Sequence, residues 1–337
     1  MKSPITGKEM SLQTERRSMT FRKESFDIDF MFYKCDETGE EFTDEHLTDL
    51  YLTQLYNQYR ERNNIPFPEE IIYTREKYGL SQAKMAEVLG IGVNNYRAYE
   101  NGDIPSDSNS TLIKLAEDPN KFKDLVVMKK DLFSKNEFGK TFKFIETEIQ
   151  KTSTKNGWEA LFIEKAFVFE EPNEMTGYKI PSLEKVENMI LFFIEHSTDL
   201  WTTKLNKLLF YGDFLHYKRT GVGISGTAYQ AIPHGPVPFK YHNIYDHVQE
   251  RKNVEAVEEY IGEASGWKFK KTNNKKFDSS LFTENELNTL KDVAKLLGKK
   301  TVKEIVKISH EEECWKTCHT TKKIISYREF GIKLTIG

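Results

Sequence analysis

The segment 75–101, REKYGLSQAKMAEVLGIGVNNYRAYEN, leaves the backbone few local choices. Tyr78-Gly79 closes one helix, because glycine takes the left-handed C′ position without steric penalty. Ser81 caps a second helix expected over 82–89. Gly90 supplies the turn, and a third helix is expected from about Val93 to Glu100. Ala86 is small enough for two helices to cross closely. Leu80, Met85, Val88, Leu89, Ile91 and Tyr96 form the core these helices share.

The rest of the chain divides around this segment. Phe26, Ile28, Phe30 and Phe32 alternate with Asp27, Asp29, Met31 and Tyr33, a period of two that reads as a strand. From Thr43, Leu47, Leu50, Tyr51, Leu55 and Tyr59 recur at helical spacing, with Asp44 and Glu45 in the first turn. Pro66 and Pro68 mark a boundary. Residues 128–178 are mixed, with one helix expected and an apolar run over 166–169, and 170–178 reads as a linker. Beyond Pro181 the chain is mostly helical. Leu183, Val186, Ile190, Phe193 and Ile194 make one apolar stripe; Leu205, Leu208, Leu209 and Leu215 make another on a helix expected to be amphipathic. Thr283 with Glu286 and Thr301 with Glu304 fit capping boxes. The Gly- and Pro-rich stretch 221–238 is expected to be loop or short strand. The fold class is α+β, mainly helical, with segments 1–65, 66–127, 128–178 and 179–337.

Composition narrows the function. No run approaches 18 apolar residues, so no transmembrane helix is expected. MKSPITGKEM lacks the apolar core of a signal peptide. Three cysteines cannot make a disulfide framework, which suits a reducing, cytoplasmic setting. The net charge of −3 is uneven: −4 over 1–65, −3 over 66–127 and +4 over 128–337. With no polybasic tail, any DNA contact must come from a local arrangement of side chains.

Two short segments share one spacing. Ser3-Pro4-Ile5-Thr6-Gly7 and Cys35-Asp36-Glu37-Thr38-Gly39 each set two positions three apart, followed by glycine, with Tyr33 and Phe42 flanking the second. This resembles the amino-terminal zinc finger of MqsA/YgiT-type antitoxins, in which all four positions are cysteine. Here Cys35 alone remains. Ser and Thr hydroxyls do not ionise near neutral pH, whereas zinc needs thiolate or imidazole, so no metal and no cofactor are expected.

Residues 75–101 resemble the XRE/Cro-type helix-turn-helix, including the closing Tyr99-Glu100-Asn101-Gly102. The resemblance implies that the third helix enters the major groove. Val93, Asn94, Asn95 and Arg97 would then face the bases, since Asn suits adenine and Arg suits guanine. Gln82 would contact phosphate or an adjacent base, with Lys84 and Arg75 as further phosphate candidates. Gly92 departs from the usual capping Ser or Thr and weakens the helix start. The acidic balance of the segment predicts modest affinity, with a homodimer engaging two half-sites.

Three motifs follow in order: Thr203-Lys204-Leu205-Asn206-Lys207-Leu208-Leu209-Phe210-Tyr211, Gly235-Pro236-Val237-Pro238 and Ser309-His310-Glu311-Glu312-Glu313-Cys314-Trp315. Together they resemble the Panacea (SocA-like) domain over roughly 181–325. That resemblance implies an antitoxin domain that neutralises a toxin by direct contact, or a protease adaptor for toxin destruction. Pro236 and Pro238 would fix a rigid loop, flanked by Tyr229, Phe239 and Tyr241. Lys204, Lys207, Tyr211, His234, Pro236, Val237 and Phe239 are the candidate toxin contacts.

Other signals point less far. Six histidines between 196 and 310 lack HExxH spacing, so metal catalysis is not expected. Cys314 and Cys318 read as core residues and Trp315 as more core than contact. Gly139-Lys140-Thr141 has Ser134 where a phosphate loop needs glycine. Trp267-Lys268-Phe269-Lys270-Lys271, with Lys275 and Lys276, reads as a solvated lysine-rich loop. The expectation is a non-enzymatic type II antitoxin, with a toxin encoded nearby and operator DNA as partners and no membrane. The alternatives are a transcription regulator that senses a ligand or partner, and a protease adaptor.

Overall fold

The computed structural model describes residues 1–154, 166–261, 264–272 and 275–336. The fold is mainly helical α+β, and the chain forms two compact units: Met1–Leu55 with Phe162–Gly337, and Tyr56–Leu161. Part of the connecting segment 128–178, residues 155–165, lies outside the described residues.

The amino-terminal part is a long antiparallel hairpin, β1 (Ser11–Phe21) and β2 (Glu24–Lys34), extended by the short β3 (Glu41–Phe42). Its register runs from Ser11 opposite Lys34 to Phe21 opposite Glu24. The alternation expected in β2 is present: Phe26, Ile28 and Phe32 are buried on one face, each contributing about 2 kcal/mol by leaving water. The guanidinium of Arg17 lies over the Phe30 and Phe32 rings at 4.4 and 4.6 Å. Helix α1 (Glu45–Asn63) starts where the acidic first turn predicted. Its Gln54 side chain bonds the backbone of Asp29 twice, accepting from N and donating to O at 3.0 Å each. An amide side chain thus does for β2 what a neighbouring strand would do.

The second unit is helical. It holds α2 (Pro68–Glu76), α3 (Gln82–Leu89), α4 (Val93–Glu100), α5 (Asp107–Glu117), α6 (Pro119–Met128) and α7 (Lys135–Thr154). Ser81 caps α3 by accepting from Lys84 N at 3.2 Å, and Gly90 ends it in the left-handed conformation. Met85, Ala86, Val88, Leu89, Ile91 and Tyr96 join Ile113, Phe122 and Ile145 in one core, so α5 to α7 complete what α3 and α4 begin.

In the first unit, the carboxy-terminal part is built around α9 (Thr202–Thr220), preceded by α8 (Leu183–His196). Every residue from Lys204 to Tyr217 is buried. The expected amphipathic helix is therefore a central one, covered on all sides by α8, β5 (Gly235–Pro238), α11 (Glu284–Leu297) and α12 (Val302–Glu311). Strand β5 pairs with β4 (Tyr229–Ile232), which pairs in turn with β8 (Ile324–Ile325). Between α10 (Tyr241–Glu250) and α11 lies the hairpin β6 (Val254–Ile261) and β7 (Ala264–Lys271). Helices α13 (Glu313–Cys318) and α14 (Tyr327–Phe330) complete the unit. Both capping boxes are formed, Thr283 with Glu286 and Thr301 with Glu304. The run Trp267–Lys271 lies in β7 rather than in a solvated loop. Its lysines are paired: Lys268 with Asp199, Lys270 with Glu259 and Lys271 with Glu195. The carboxy-terminal and amino-terminal parts of this unit meet at a polar cavity of about 530 Å³, lined by Arg16 and Asp29 on one side and Arg328 and Lys333 on the other.

The two amino-terminal turns lie side by side. Ser3 O accepts from Gly7 N at 2.9 Å, and Cys35 O accepts from Gly39 N at 2.8 Å. Thr6 Oγ1 lies 3.7 Å from Cys35 Sγ. The thiol is pulled down to about 6, first by the Thr38 hydroxyl, then by the Ser3 hydroxyl and the Thr38 backbone. One thiolate among three hydroxyls does not fit a structural zinc; the turns are held by hydrogen bonds instead. If the geometry is a finger's and only the ligands are lost, Ser3→Cys/Thr6→Cys/Thr38→Cys should bind one zinc ion per chain, with none for the parent. Elemental analysis after dialysis measures this, and a metal-free triple variant would show that the turns are not finger-shaped.

Candidate functional site

The exposed amino-terminal face of α4 carries Asn94, Asn95 and Arg97, with Val93 half-buried against the core. Gly92 gives the helix no side-chain cap, as its sequence predicted. The other two candidates are already engaged inside the unit. Gln82 Nε2 donates to Glu100 Oε2 at 2.6 Å, and Lys84 Nζ donates to Glu87 Oε2 at 2.9 Å and Leu132 O at 2.8 Å. Arg75 is committed too: its Nε and Nη2 reach Glu100 at 2.6 and 3.2 Å, and Nη1 reaches Leu80 O. Glu100, at the far end of α4, is thus the hub that ties α2 and α3 to α4. Its part in the family-like Tyr-Glu-x-Gly ending was legible, but its partners were not, since they lie 18 and 25 residues away.

In the carboxy-terminal part, burial of α9 leaves its polar side chains to be satisfied from within the protein, and among the described residues all but one of the buried ones are. Lys204 Nζ donates to the carbonyls of Thr198 and Gly298 at 2.6 and 2.7 Å. Tyr211 OH donates to Glu312 at 3.1 Å, and Glu312 also accepts from the Thr335 amide and hydroxyl. Asp213 accepts from the amides of Ile224 and Ser225 and from the hydroxyls of Ser225 and Tyr229, all at 2.6–2.8 Å. Burial pushes its carboxyl upward in pKa against these four bonds. His216, which burial pulls down to about 4, is neutral and lies 3.2 Å from Thr289 Oγ1.

Of the seven candidate contacts, Lys204, Lys207, Tyr211, Pro236 and Val237 are buried, so their side chains present no surface to a partner. Buried lysines and a tyrosine on a helix read from sequence as an exposed polar face; only the packing around α9 shows otherwise. His234 is exposed and Phe239 half-buried. Trp315, far along the sequence from this strand, is half-buried, donates Nε1 to Ile232 O at 2.8 Å, and is sandwiched between His310 and His319 with centroids 3.7 and 4.2 Å away. Cys314 and Cys318 are buried free thiols, as expected of core cysteines. Among the described residues no group of three His, Cys, Asp or Glu side chains is placed to hold a metal ion.

Lys207 differs from its neighbours. Its Nζ has no hydrogen-bond partner among the described residues, and burial pulls its pKa down to about 7. Gly235, at φ +99°, passes so close that a Cβ there would lie 2.6 Å from Lys207 Cε and 2.4 Å from Ser309 Oγ. The glycine of the Gly-Pro-Val-Pro motif is thus required by the lysine beneath it. The folded-state value lies below the ordinary lysine value of 10.5, so between pH 7 and 10.5 the unfolded chain binds more protons, and this group's share of stability rises with pH. Lys207→Met should stabilise the chain by roughly 1–3 kcal/mol at pH 6, an advantage that shrinks from pH 7 towards 10. Urea unfolding at pH 6, 8 and 9.5 measures it, and a pH-independent difference would contradict a strained amine.

Comparison with known families places both ends of the chain. Residues 1–126 match the model of MqsA, the antitoxin component of a bacterial toxin–antitoxin system. Residues 205–316 match the antitoxin SocA-like Panacea domain. No curated protein and no solved structure matches the chain. The second match takes in most of α9, the Gly-Pro-Val-Pro strand and the stacked His310 and Trp315. Two stretches of the chain are thus similar to antitoxin families, an MqsA-like one at the amino-terminal end and a SocA-like Panacea one nearer the carboxy-terminal end.

Proposed function

We propose that this protein is the antitoxin of a type II toxin–antitoxin pair. The carboxy-terminal Panacea domain would cover a cognate toxin encoded by an adjacent gene, and the α3–α4 pair would act as a helix-turn-helix on the operon's operator DNA. The observation that carries this reading is the tandem of two antitoxin-family segments on one chain.

For operator binding, the support is the free polar edge at the start of α4. Asn94, Asn95 and Arg97 are exposed, chemically suited to base edges, and held on a rigid helix. Gln82 and Arg75 would serve by fixing α3 and α2 against Glu100 of α4, and Lys84 by tying α3 to the Leu132 carbonyl, rather than by reaching phosphate. A homodimer would supply the second half-site that a segment of net charge −3 needs for useful affinity. For toxin binding, the support is a rigid patch with little entropy to lose. Exposed His234 and half-buried Phe239 bracket β5, which is fixed by two prolines and by the close approach to Lys207. Neutralisation would be masking, with no bond made or broken.

Two variants of the full chain separate the roles. Asn94→Ala/Asn95→Ala/Arg97→Ala should weaken binding to the upstream promoter fragment at least tenfold, since each lost base contact is worth about 1–3 kcal/mol, yet still rescue growth when the neighbouring gene is induced. His234→Glu/Phe239→Glu should do the reverse. Gel-shift titration and plate growth read the two outcomes. A harmless neighbouring gene would sink this pairing and favour a transcription regulator.

A further inference from the structure

Helices α2 and α7 in the Tyr56–Leu161 unit form an open groove of about 800 Å³ that neither proposed role uses. Helix α7 has two faces. Thr141 and Ile145 point into the core, with Phe138 and Ile149 packed beside them. Lys140, Lys143, Phe144 and Thr147 lie on the other face at helical spacing and line the groove. Tyr73 from α2 and Lys77 just after it line the other side. Tyr73 is 56% exposed and Phe144 49% exposed, so the groove has a floor of uncovered aromatic carbon.

That floor is built into the fold. The Phe144 ring rests on Gly79, the left-handed glycine after α2, where a Cβ would come within 2.7 Å of the ring. The rim is basic although residues 66–127 are net acidic. Glu148 is paired with Lys151 at 2.7 Å, and Glu76 with Arg75 at 3.3 Å. Lys77 Nζ is held by Glu117 O at 2.8 Å. Lys140 and Lys143 make no ion pair among the described residues.

We infer that this groove docks an acidic amphipathic helix of a protein partner, its apolar stripe on Tyr73 and Phe144 and its carboxylates on Lys140 and Lys143. Exposed aromatic anchors spaced along a two-helix groove suit apolar side chains at i, i+3 and i+4. Two unpaired lysines beside them select negative flanks. A DNA backbone would meet the lysines but leave the aromatic floor wet, so a peptide is the better match. The inference stands independently of the toxin pairing.

The probe is a labelled 18-residue peptide with leucine at helical spacing and glutamate elsewhere, with a lysine-for-glutamate version as control. Fluorescence anisotropy with the full chain should show the acidic peptide binding at least tenfold more tightly than the control. Lys140→Glu/Lys143→Glu should reduce that affinity at least tenfold with an unchanged unfolding midpoint, both side chains being exposed. Phe144→Ser should weaken the peptide without reversing its charge preference. Equal binding of the two peptides, or affinity unmoved by the charge reversal, overturns the inference. So does displacement of the peptide by a 20-base-pair duplex that itself needs Lys140 and Lys143, which would make the groove a DNA-backbone site. A dimer in sedimentation that the charge reversal dissolves would instead make a second copy the occupant, and overturns it too.

Discussion

The carboxy-terminal part depends on a buried carboxyl group, Asp213, that makes no ion pair among the described residues. Asp213 lies in the middle of a helix covered on every side, and four donors from the 224–229 stretch close around it. An isolated buried charge would be intolerable in such a setting. The donors therefore fix where the chain runs after α9, because the amides of Ile224 and Ser225 must face the carboxyl group. That brings in Tyr229, the first residue of β4, and so sets the start of the β4–β5 hairpin. The hairpin in turn lays Gly235 on Lys207. Tyr327 OH, bonded to Thr227 O at 2.8 Å, ties the carboxy-terminal segment to the same loop. One helix residue thereby organises a loop, a sheet and the end of the chain.

The helical unit uses the same device with opposite charges. Glu100 is buried and receives Arg75 and Gln82. Breaking such a pair leaves one charge stranded, so its value lies in orientation as much as in attraction. It holds the α3–α4 pair at a fixed angle, while Asn94, Asn95 and Arg97 near the start of α4 stay exposed. The two ends of α4 differ in their surroundings. The carboxy-terminal end is locked by a buried network, and the amino-terminal end presents amide and guanidinium groups to solvent.

Much of the local structure was legible because local signals sufficed. Ser81 and Gly90 bound α3, the two Thr–Glu capping boxes start α11 and α12, and the phenylalanine alternation gave β2. The family-like motifs were legible for the same reason, since each is a short run of residues. The Trp267–Lys271 run was misjudged because its lysines look solvated until Asp199, Glu195 and Glu259 are seen beside them. The face of α9 was misjudged for a similar reason. Lys204, Lys207 and Tyr211 are polar types at helical spacing, and only their cover shows that they point inward.

Sequence by itself determined β2, the bounds of α3 and α4, the caps of α3, α11 and α12, the lack of zinc-binding residue types at the two amino-terminal turns, and the two antitoxin-like segments. These follow from residue type at short separation: cap chemistry, periodicity, and the ionisation of a hydroxyl against a thiol. Tertiary structure alone decided that residues 1–55 share a unit with the far end of the chain, that α9 is central, and that Arg75, Gln82 and Lys207 face inward. Those outcomes turn on contacts between residues from tens to hundreds of positions apart. A polar side chain in a sequence does not declare whether water or another part of the same chain will satisfy it.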